Sequence, residues 1–369
     1  MFVSSFAATG LRSFGEIIYK PISGINIIFG KNNAGKTTVL EGIGLCSNLK
    51  SFKQINADDL INSSSKFFEI RLNVVKNNEN LLISVKKSKS GKIQGMLNDK
   101  RISGRSLSLE FPLICLAFGN ENVVTSPAET RRTIIDWGAF HVEQSHLEVF
   151  QSYHKVLKAR NNIIKKGDFE NLGYWTDEVV KYGNQLDLQR KQYFNLLDEQ
   201  FFKVVESANS KVEQSMYNDI AASRIVYHQG WPEGDTLQAA LNSCIEKDKA
   251  LKYTSVGPHR ADMLIKTNMN DIKAVCSMST QVVVSLLIMI SQCNVFHVKH
   301  GFKPLMLIDD LFFGIDEKNL GLVINLLSES KSQCILTAPD LYEEKVSYIK
   351  QDSVARYSLS NGQIRENKE

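Results

Sequence analysis

Residues Gly30-Lys31-Asn32-Asn33-Ala34-Gly35-Lys36-Thr37 constrain this chain more than any other stretch. They satisfy the pattern G-x-x-x-x-G-K-[ST] at every fixed position. The apolar run Ile25-Asn26-Ile27-Ile28-Phe29 before them reads as a buried strand, and Thr38-Val39-Leu40-Glu41-Gly42-Ile43 after them reads as a helix. Strand, glycine loop and helix in that order are the context that makes the pattern a phosphate loop. The glycines let backbone N–H groups converge on an anion, and the helix N-terminus adds its dipole. Lys36 is then expected to reach the β- and γ-phosphates of a nucleotide and the Thr37 hydroxyl to ligate Mg²⁺. Gly30, Lys31, Asn32, Asn33, Ala34, Gly35 and Thr38 would form the rest of the cradle.

The chain has 369 residues, enough for one large domain or two ordinary ones, and 43% of them are apolar. No run of 18 apolar residues occurs, so no membrane span is expected. The start, Met1-Phe2-Val3-Ser4-Ser5-Phe6, has no basic segment leading into an apolar one, so no secretory signal is expected. Six scattered cysteines without a C-x-x-C pair argue against a zinc site or a disulfide framework and fit a cytoplasmic setting. A net charge of +4 neither demands nor excludes nucleic acid, so a DNA surface would need local clustering.

The apolar pattern divides the chain into three stretches. In residues 1–127, segments 2–8, 14–19 and 25–29 read as strands feeding the loop. Phe67–Val75 and Leu81–Val85 read as a hairpin, Ile93–Leu97 as a third strand, and together they suggest a mixed sheet attached to the core. Residues 128–217 read as a helical arm. Leu147, Phe150, Tyr153, Leu157 and Ile164 share one helix face, and Leu186, Phe194, Leu197, Phe201 and Val205 another, with a cap-like start at Trp175-Thr176-Asp177. Two such helices joined by a loop predict an antiparallel pair, too short for a long coiled coil. Residues 218–369 return to strand and helix alternation, so the helical part reads as an insertion between two halves of one sheet. Trp137 and Phe140 read as core. His141 and His154 read as structural or solvent-facing, because no carboxylate–histidine–nucleophile pattern surrounds them.

Pro304-Leu305-Met306-Leu307-Ile308-Asp309-Asp310 reads as a buried strand ending in two acids. Asp309 is expected to hold the magnesium, through water, and Asp310 to orient an attacking water as a general base. Roughly 270 residues separate this element from the phosphate loop. That layout resembles ABC- and SMC-type ATPases, in which an insertion splits the head, and it predicts an α/β P-loop ATPase head with an inserted helical lobe.

At this point the chain resembles one family specifically, the RecF recombination mediators, over nearly its full length. Gly10-Leu11-Arg12-Ser13-Phe14 resembles the family's opening element. Arg131-Arg132-Thr133-Ile134-Ile135-Asp136-Trp137-Gly138 resembles its "RRxFLDWG" segment, and Thr254-Ser255-Val256-Gly257-Pro258-His259-Arg260-Ala261-Asp262 its "GPH-[RK]-AD" block. The resemblance implies an ATP- and Mg²⁺-dependent homodimer in which Ser277, as signature serine, meets the partner's γ-phosphate, and Asp316 approaches the dimer face. It implies binding to gapped DNA or single-strand/double-strand junctions, RecR, RecO and RecA as partners, and at most a weak, DNA-stimulated ATPase.

The sequence departs from that family where subunits would meet. The signature L-S-x-G-Q-Q is here Cys276-Ser277-Met278-Ser279-Thr280-Gln281, and a basic residue after it is Val282. A Cβ at Ser279 is expected to crowd a phosphate or to force an unfavourable φ. The D-loop pattern S-E-L-D is Phe313-Gly314-Ile315-Asp316. These changes predict an alternative in which the chain binds ATP and clamps DNA but hydrolyses poorly. Glu121 lies in a segment that aligns poorly and receives no role. Two lysine-rich stretches, Lys86-Lys87 with Lys89 and Lys92, and Lys155, Lys158, Arg160, Lys165 and Lys166, are candidate DNA contacts. A motor-type SMC protein would need a long coiled coil or a hook, and the sequence has neither.

Overall fold

The computed structural model describes residues 1–53, 55–117, 122–209, 214–346 and 353–367. Phe118, Gly119, Asn120 and Glu121 lie outside the described residues. The chain forms two compact units, Met1–Asn122 with Ser277–Glu369, and Val123–Cys276.

The first unit contains two six-stranded sheets. One runs Phe14–Tyr19, Phe2–Leu11, Phe67–Lys76, Glu79–Ser88, Gln94–Leu97, Lys100–Ile102 in spatial order. Its pairings are all antiparallel, so the expected mixed sheet is instead a meander of neighbouring hairpins with one longer excursion. The other runs Gln363–Glu366, Val354–Ser360, Ile25–Phe29, Cys334–Ala338, Leu305–Asp309, Leu113–Ala117. All but its Val354–Ser360/Gln363–Glu366 pairing are parallel. Every residue of Ile25–Phe29, Leu305–Asp309 and Cys334–Ala338 is buried. Continuous apolar runs, rather than alternation, are what parallel strands covered on both faces require.

Helix Lys36–Asn48 follows the phosphate loop and touches strands of both sheets. Its burial all round explains its lack of a polar face. Val39, Leu40, Ile43 and Cys46 are fully enclosed in the core formed with Phe6, Phe14, Phe68 and Leu72. Burying each large aliphatic or aromatic side chain there stabilises by about 1.5–3 kcal/mol. Helix Met278–His300 alone among the described residues is long and apolar enough to cross a membrane. In the structure, most of it is buried inside the protein, as in a core helix.

The second unit holds helices Ala128–Val142, His146–Lys166 and Leu172–Asn209 and a three-stranded antiparallel sheet of Asn270–Asp271, Asp262–Thr267 and Ser223–His228. The strands after residue 218 therefore first build this separate sheet, and the parallel sheet resumes only at Leu305. The two long helices pack on each other, and Tyr153, Leu157, Ile164, Leu186, Leu197, Phe201 and Val205 are buried as their spacing predicts. The second of these helices starts at Leu172, so Thr176 is internal rather than capping; its hydroxyl donates to the Leu172 carbonyl at 2.8 Å. Trp137 and Phe140 are only half-buried, with their rings against His141.

The two blocks that carry the family resemblance interlock in this unit. Arg131 grips Asp262 through two hydrogen bonds of 2.8 Å, and Arg132 donates to the Ala261 carbonyl. Arg190, 2% exposed, forks onto Asp136 and donates to the Pro258 carbonyl at 2.6 Å. His259 Nε2 lies 2.9 Å from the Thr254 carbonyl and so carries the proton; Nδ1 is left to accept from the Tyr153 hydroxyl at 2.7 Å. Burial lowers this imidazole to a pKa of about 4, against the raising effect of the Thr254 hydrogen bond.

Both basic stretches lose a member to the core. Lys87 shares strand parity with the buried Ile83 and Val85, is itself buried, and pairs with Asp58. Arg160 lies on the stripe of Tyr153, Val156, Leu157 and Ile164 and is fully enclosed. It donates to Asp248 at 2.8 Å and to Thr254 at 2.7 Å. Lys86, Lys89 and Lys92, and Lys155, Lys158, Lys165 and Lys166, remain exposed.

Candidate nucleotide-binding site

The phosphate loop leaves the buried strand Ile25–Phe29 at its C-terminal end and turns into helix Lys36–Asn48 through Gly35 at φ 102°. A Cβ at Gly35 would stand 2.5 Å from the Phe14 ring, so only glycine fits there. Lys31, Asn32 and Asn33 form the exposed tip, Ala34 and Gly35 are half-buried, and Thr38 is buried at the base with Lys36. The Lys36 ammonium folds over the loop and donates to the carbonyls of Gly30 at 2.6 Å and Lys31 at 3.0 Å. Burial lowers its pKa, and the facing carboxylates of Asp310, Asp340 and Asp309 oppose that shift.

Strand Cys334–Ala338 lies between the loop strand and the acid-bearing strand Leu305–Asp309, parallel to both. This order brings Asp309 against the loop. The Thr37 hydroxyl is 3.0 Å from each Asp309 carboxylate oxygen, across 272 residues of sequence. Asp310 follows with its backbone in the left-handed region at φ 54°, which a non-glycine residue adopts at a cost. Its N–H donates to the Thr337 hydroxyl at 2.9 Å. Its carboxyl pKa is raised, first by burial and then by the Asp309 charge, while Lys36 and Lys53 pull it down. The structure thus brings Lys36, Thr37, Asp309 and Asp310 to one place, as the motifs require.

Two further residues there have no motif to announce them. Thr337 donates to Asp309 Oδ1 at 2.8 Å. Lys53 places its ammonium 2.9 Å from Asp309 Oδ2. The segment carrying Lys53 is tied to the phosphate-loop helix, because the Ser51 hydroxyl bonds Glu41, and Glu41 also faces Arg12 at 3.2 Å. Only the charge of Lys53 was visible in sequence; the chain return that aims it was not.

Ser277 is exposed at the start of helix Met278–His300, where its hydroxyl caps the Thr280 N–H at 3.2 Å. Ser279 sits in the first helical turn with no positive φ, so the expected backbone strain does not arise. Its hydroxyl instead accepts from Asn319 Nδ2 at 3.3 Å. Met278 packs on Gly314, where a Cβ would meet Met278 Cγ at 2.5 Å. The altered signature and the altered D-loop are therefore direct neighbours. Asp316 is exposed and precedes helix Glu317–Glu329, and Val282 is buried. A cavity of about 420 Å³ in the other unit, lined by Phe169, Thr176, Gln238 and Lys249 among others, contains none of the predicted site residues.

Comparison with known proteins agrees with this geometry. Residues 9–252 match the AAA domain family. The DNA replication and repair protein RecF of Pseudoalteromonas translucida is 27% identical over 356 residues, covering 95% of this chain and 94% of the relative. That of Stutzerimonas stutzeri is 24% identical over 371 residues, covering 99% and 97%. Among solved structures, the recombination mediator protein RecF-ATP of the RecFOR pathway superposes with a TM-score of 0.80 at 19% identity, covering 100% and 98% of the two chains. An Smc head bound to the C-terminal winged-helix domain of ScpA gives 0.56 at 14% identity, covering 100% and 97%. The fold is thus that of an ABC/SMC-type ATPase head, similar over nearly the whole chain to RecF proteins, and the chain belongs to the AAA domain family.

Proposed function

We propose that this chain is an ATP-dependent DNA-binding protein of replication and repair that acts as a nucleotide-gated clamp at gapped or junction DNA. The observation that carries this reading is the 3.0 Å approach of the Thr37 hydroxyl to both oxygens of Asp309, beside Lys36 and Asp310. A hydroxyl on a buried carboxylate is an oxygen donor set suited to a divalent cation, and the Lys53 ammonium resting on that carboxylate shows that the place already takes positive charge. Thr37 and Asp309 would hold Mg²⁺, which would neutralise charge developing on the transferred phosphoryl group. Backbone N–H groups of the loop would bind the phosphates, Lys36 would leave the Gly30 and Lys31 carbonyls for the β- and γ-oxygens, and Asp310 would orient water.

Lys86, Lys89, Lys92, Lys155, Lys158, Lys165 and Lys166 are the exposed cations we assign to phosphate backbone contacts, independent of base sequence. RecR, RecO and RecA are the partners, and the cytoplasm the setting, that the family relationship supports. A homodimer with ATP between subunits would present Ser277 of each to the other's γ-phosphate. The contact between Ser279 and Asn319 and the packing of Met278 on Gly314 favour a second reading, in which the dimer face has been remodelled and hydrolysis is weak or lost.

Equilibrium binding of a fluorescent ATP analogue to the full chain and to Lys36→Ala, with sedimentation velocity in the presence of ATP and gapped DNA, tests both readings. Binding lost in the variant, with a dimer in the wild type, is the expected result. No nucleotide binding by the wild type would remove the proposal. Binding and dimerisation without turnover would select the second reading.

A further inference from the structure

We propose that Thr337 is a positioning residue of the nucleotide site, which sets both acids at the end of strand Leu305–Asp309 through one hydroxyl. The inference rests on the nucleotide reading given above.

Thr337 is fully buried near the end of strand Cys334–Ala338, one step beyond the paired residues Ile308 and Leu336. Its hydroxyl has a single proton. The Asp310 N–H can only donate, so Thr337 Oγ1 accepts there at 2.9 Å. Asp309 Oδ1 accepts, so the one proton goes to it at 2.8 Å. Both bonds are therefore directed, and neither can reverse. The first supports the backbone of Asp310 in its left-handed conformation, and with it the placement of a half-buried carboxylate directly after Asp309. The second fixes the rotation of the Asp309 carboxylate, so that Oδ2 meets Lys53 at 2.9 Å while Thr37 spans both oxygens. Removing the hydroxyl would strand a backbone donor and free a buried carboxylate to turn. Groups that orient a metal-binding carboxylate in this way are typically worth about 10–100-fold in metal affinity.

The test compares full-length wild type, Thr337→Val and Thr337→Ser. Valine keeps the shape and removes both bonds, and serine keeps both. The readout is the Mg²⁺ concentration that half-saturates binding of a fluorescent ADP analogue, with binding in EDTA measured alongside. Thr337→Val is expected to raise that concentration about tenfold or more. Its binding in EDTA should be unchanged, and Thr337→Ser should stay close to wild type in both. The Asp310 amide should also exchange faster in the valine variant than in wild type or serine. A valine variant with wild-type Mg²⁺ dependence overturns the inference, as does equal loss in EDTA or a serine variant as impaired as valine. If valine does not fold, a serine variant with a raised Mg²⁺ requirement, or an Asp310 amide that exchanges at the unprotected rate in the wild type, overturns the inference. A wild type that binds no analogue at any Mg²⁺ concentration overturns the nucleotide reading itself, a distinguishable failure.

Discussion

Replacing Lys53 by methionine keeps the stem of the side chain and removes the ammonium that rests on Asp309. The two groups are 2.9 Å apart, with side-chain exposures of 37% for the lysine and 3% for the aspartate. At an effective dielectric of about 20, that separation gives a gross attraction of ~6 kcal/mol. Lost hydration of the half-exposed lysine and its lost rotamer freedom offset most of it, leaving ~1–2 kcal/mol net. A divalent cation on Asp309 has to displace this ammonium, so the same energy enters twice with opposite sign. In EDTA, Lys53→Met should be less stable than wild type by ~1–2 kcal/mol, because Asp309 keeps only the Thr37 and Thr337 hydroxyls. In Mg²⁺, it should need about 5–30-fold less cation for half-maximal binding of a fluorescent ADP analogue. Thermal melts in EDTA and a Mg²⁺ titration of analogue binding measure the two sides. An unchanged or higher Mg²⁺ requirement in the variant, with wild-type stability in EDTA, would refute the competition.

Two other expectations concern the second unit. His259 is held neutral with a pKa of about 4, below the ordinary value of 6.5, chiefly by burial. The unfolded chain therefore binds a proton that the native state refuses, so its share of stability is complete above pH 6.5 and is lost as pH falls toward 4. Melting temperatures of wild type and His259→Gln across that window should converge at low pH; parallel curves would contradict this. Arg160→Met leaves Asp248 buried beside only the Ser255 N–H and hydroxyl, and should cost about 3 kcal/mol or more in chemical denaturation. Arg160→Met with Asp248→Asn should recover part of that. The salt dependence of duplex DNA binding should not change, whereas neutralising Lys155, Lys158, Lys165 and Lys166 should flatten it. A flatter slope in folded Arg160→Met would return Arg160 to the DNA surface.

The parts of the site that could be read in advance are those fixed by local chemistry. The phosphate loop needs glycines at set spacing, and the parallel strands need unbroken apolar runs, so Lys36, Thr37, Asp309 and Asp310 stand out in one dimension. Thr337 and Lys53 do not, because their roles come from strand order and from a chain return, neither of which leaves a local pattern. Lys87 and Arg160 depart from the expected surface position for a different reason. Counting charge along a segment ignores direction, and the missing signal was present: Lys87 shares parity with Ile83 and Val85, and Arg160 falls on the helical stripe through Tyr153, Leu157 and Ile164. The strain expected at Ser279 failed because that position lies inside a helical turn, where a side chain needs no special φ. The long helix starts earlier than its cap chemistry suggests for a related cause: Thr176 has the chemistry of a cap but turns its hydroxyl back to Leu172.

The strand that leads into the phosphate loop has both of its neighbours, Cys334–Ala338 and Val354–Ser360, near the far end of the chain. During synthesis, the antiparallel meander can form early, because all of its strands lie between Phe2 and Ile102. Ile25–Phe29 cannot: both its edges wait until more than three hundred further residues have been made. A nascent chain of this protein therefore carries an unpaired ribbon, apolar at every position but Asn26, until those distant segments arrive, a natural docking point for chaperones and a hazard for self-association. The strand order around the phosphate loop is complete only once both of those distant segments have arrived.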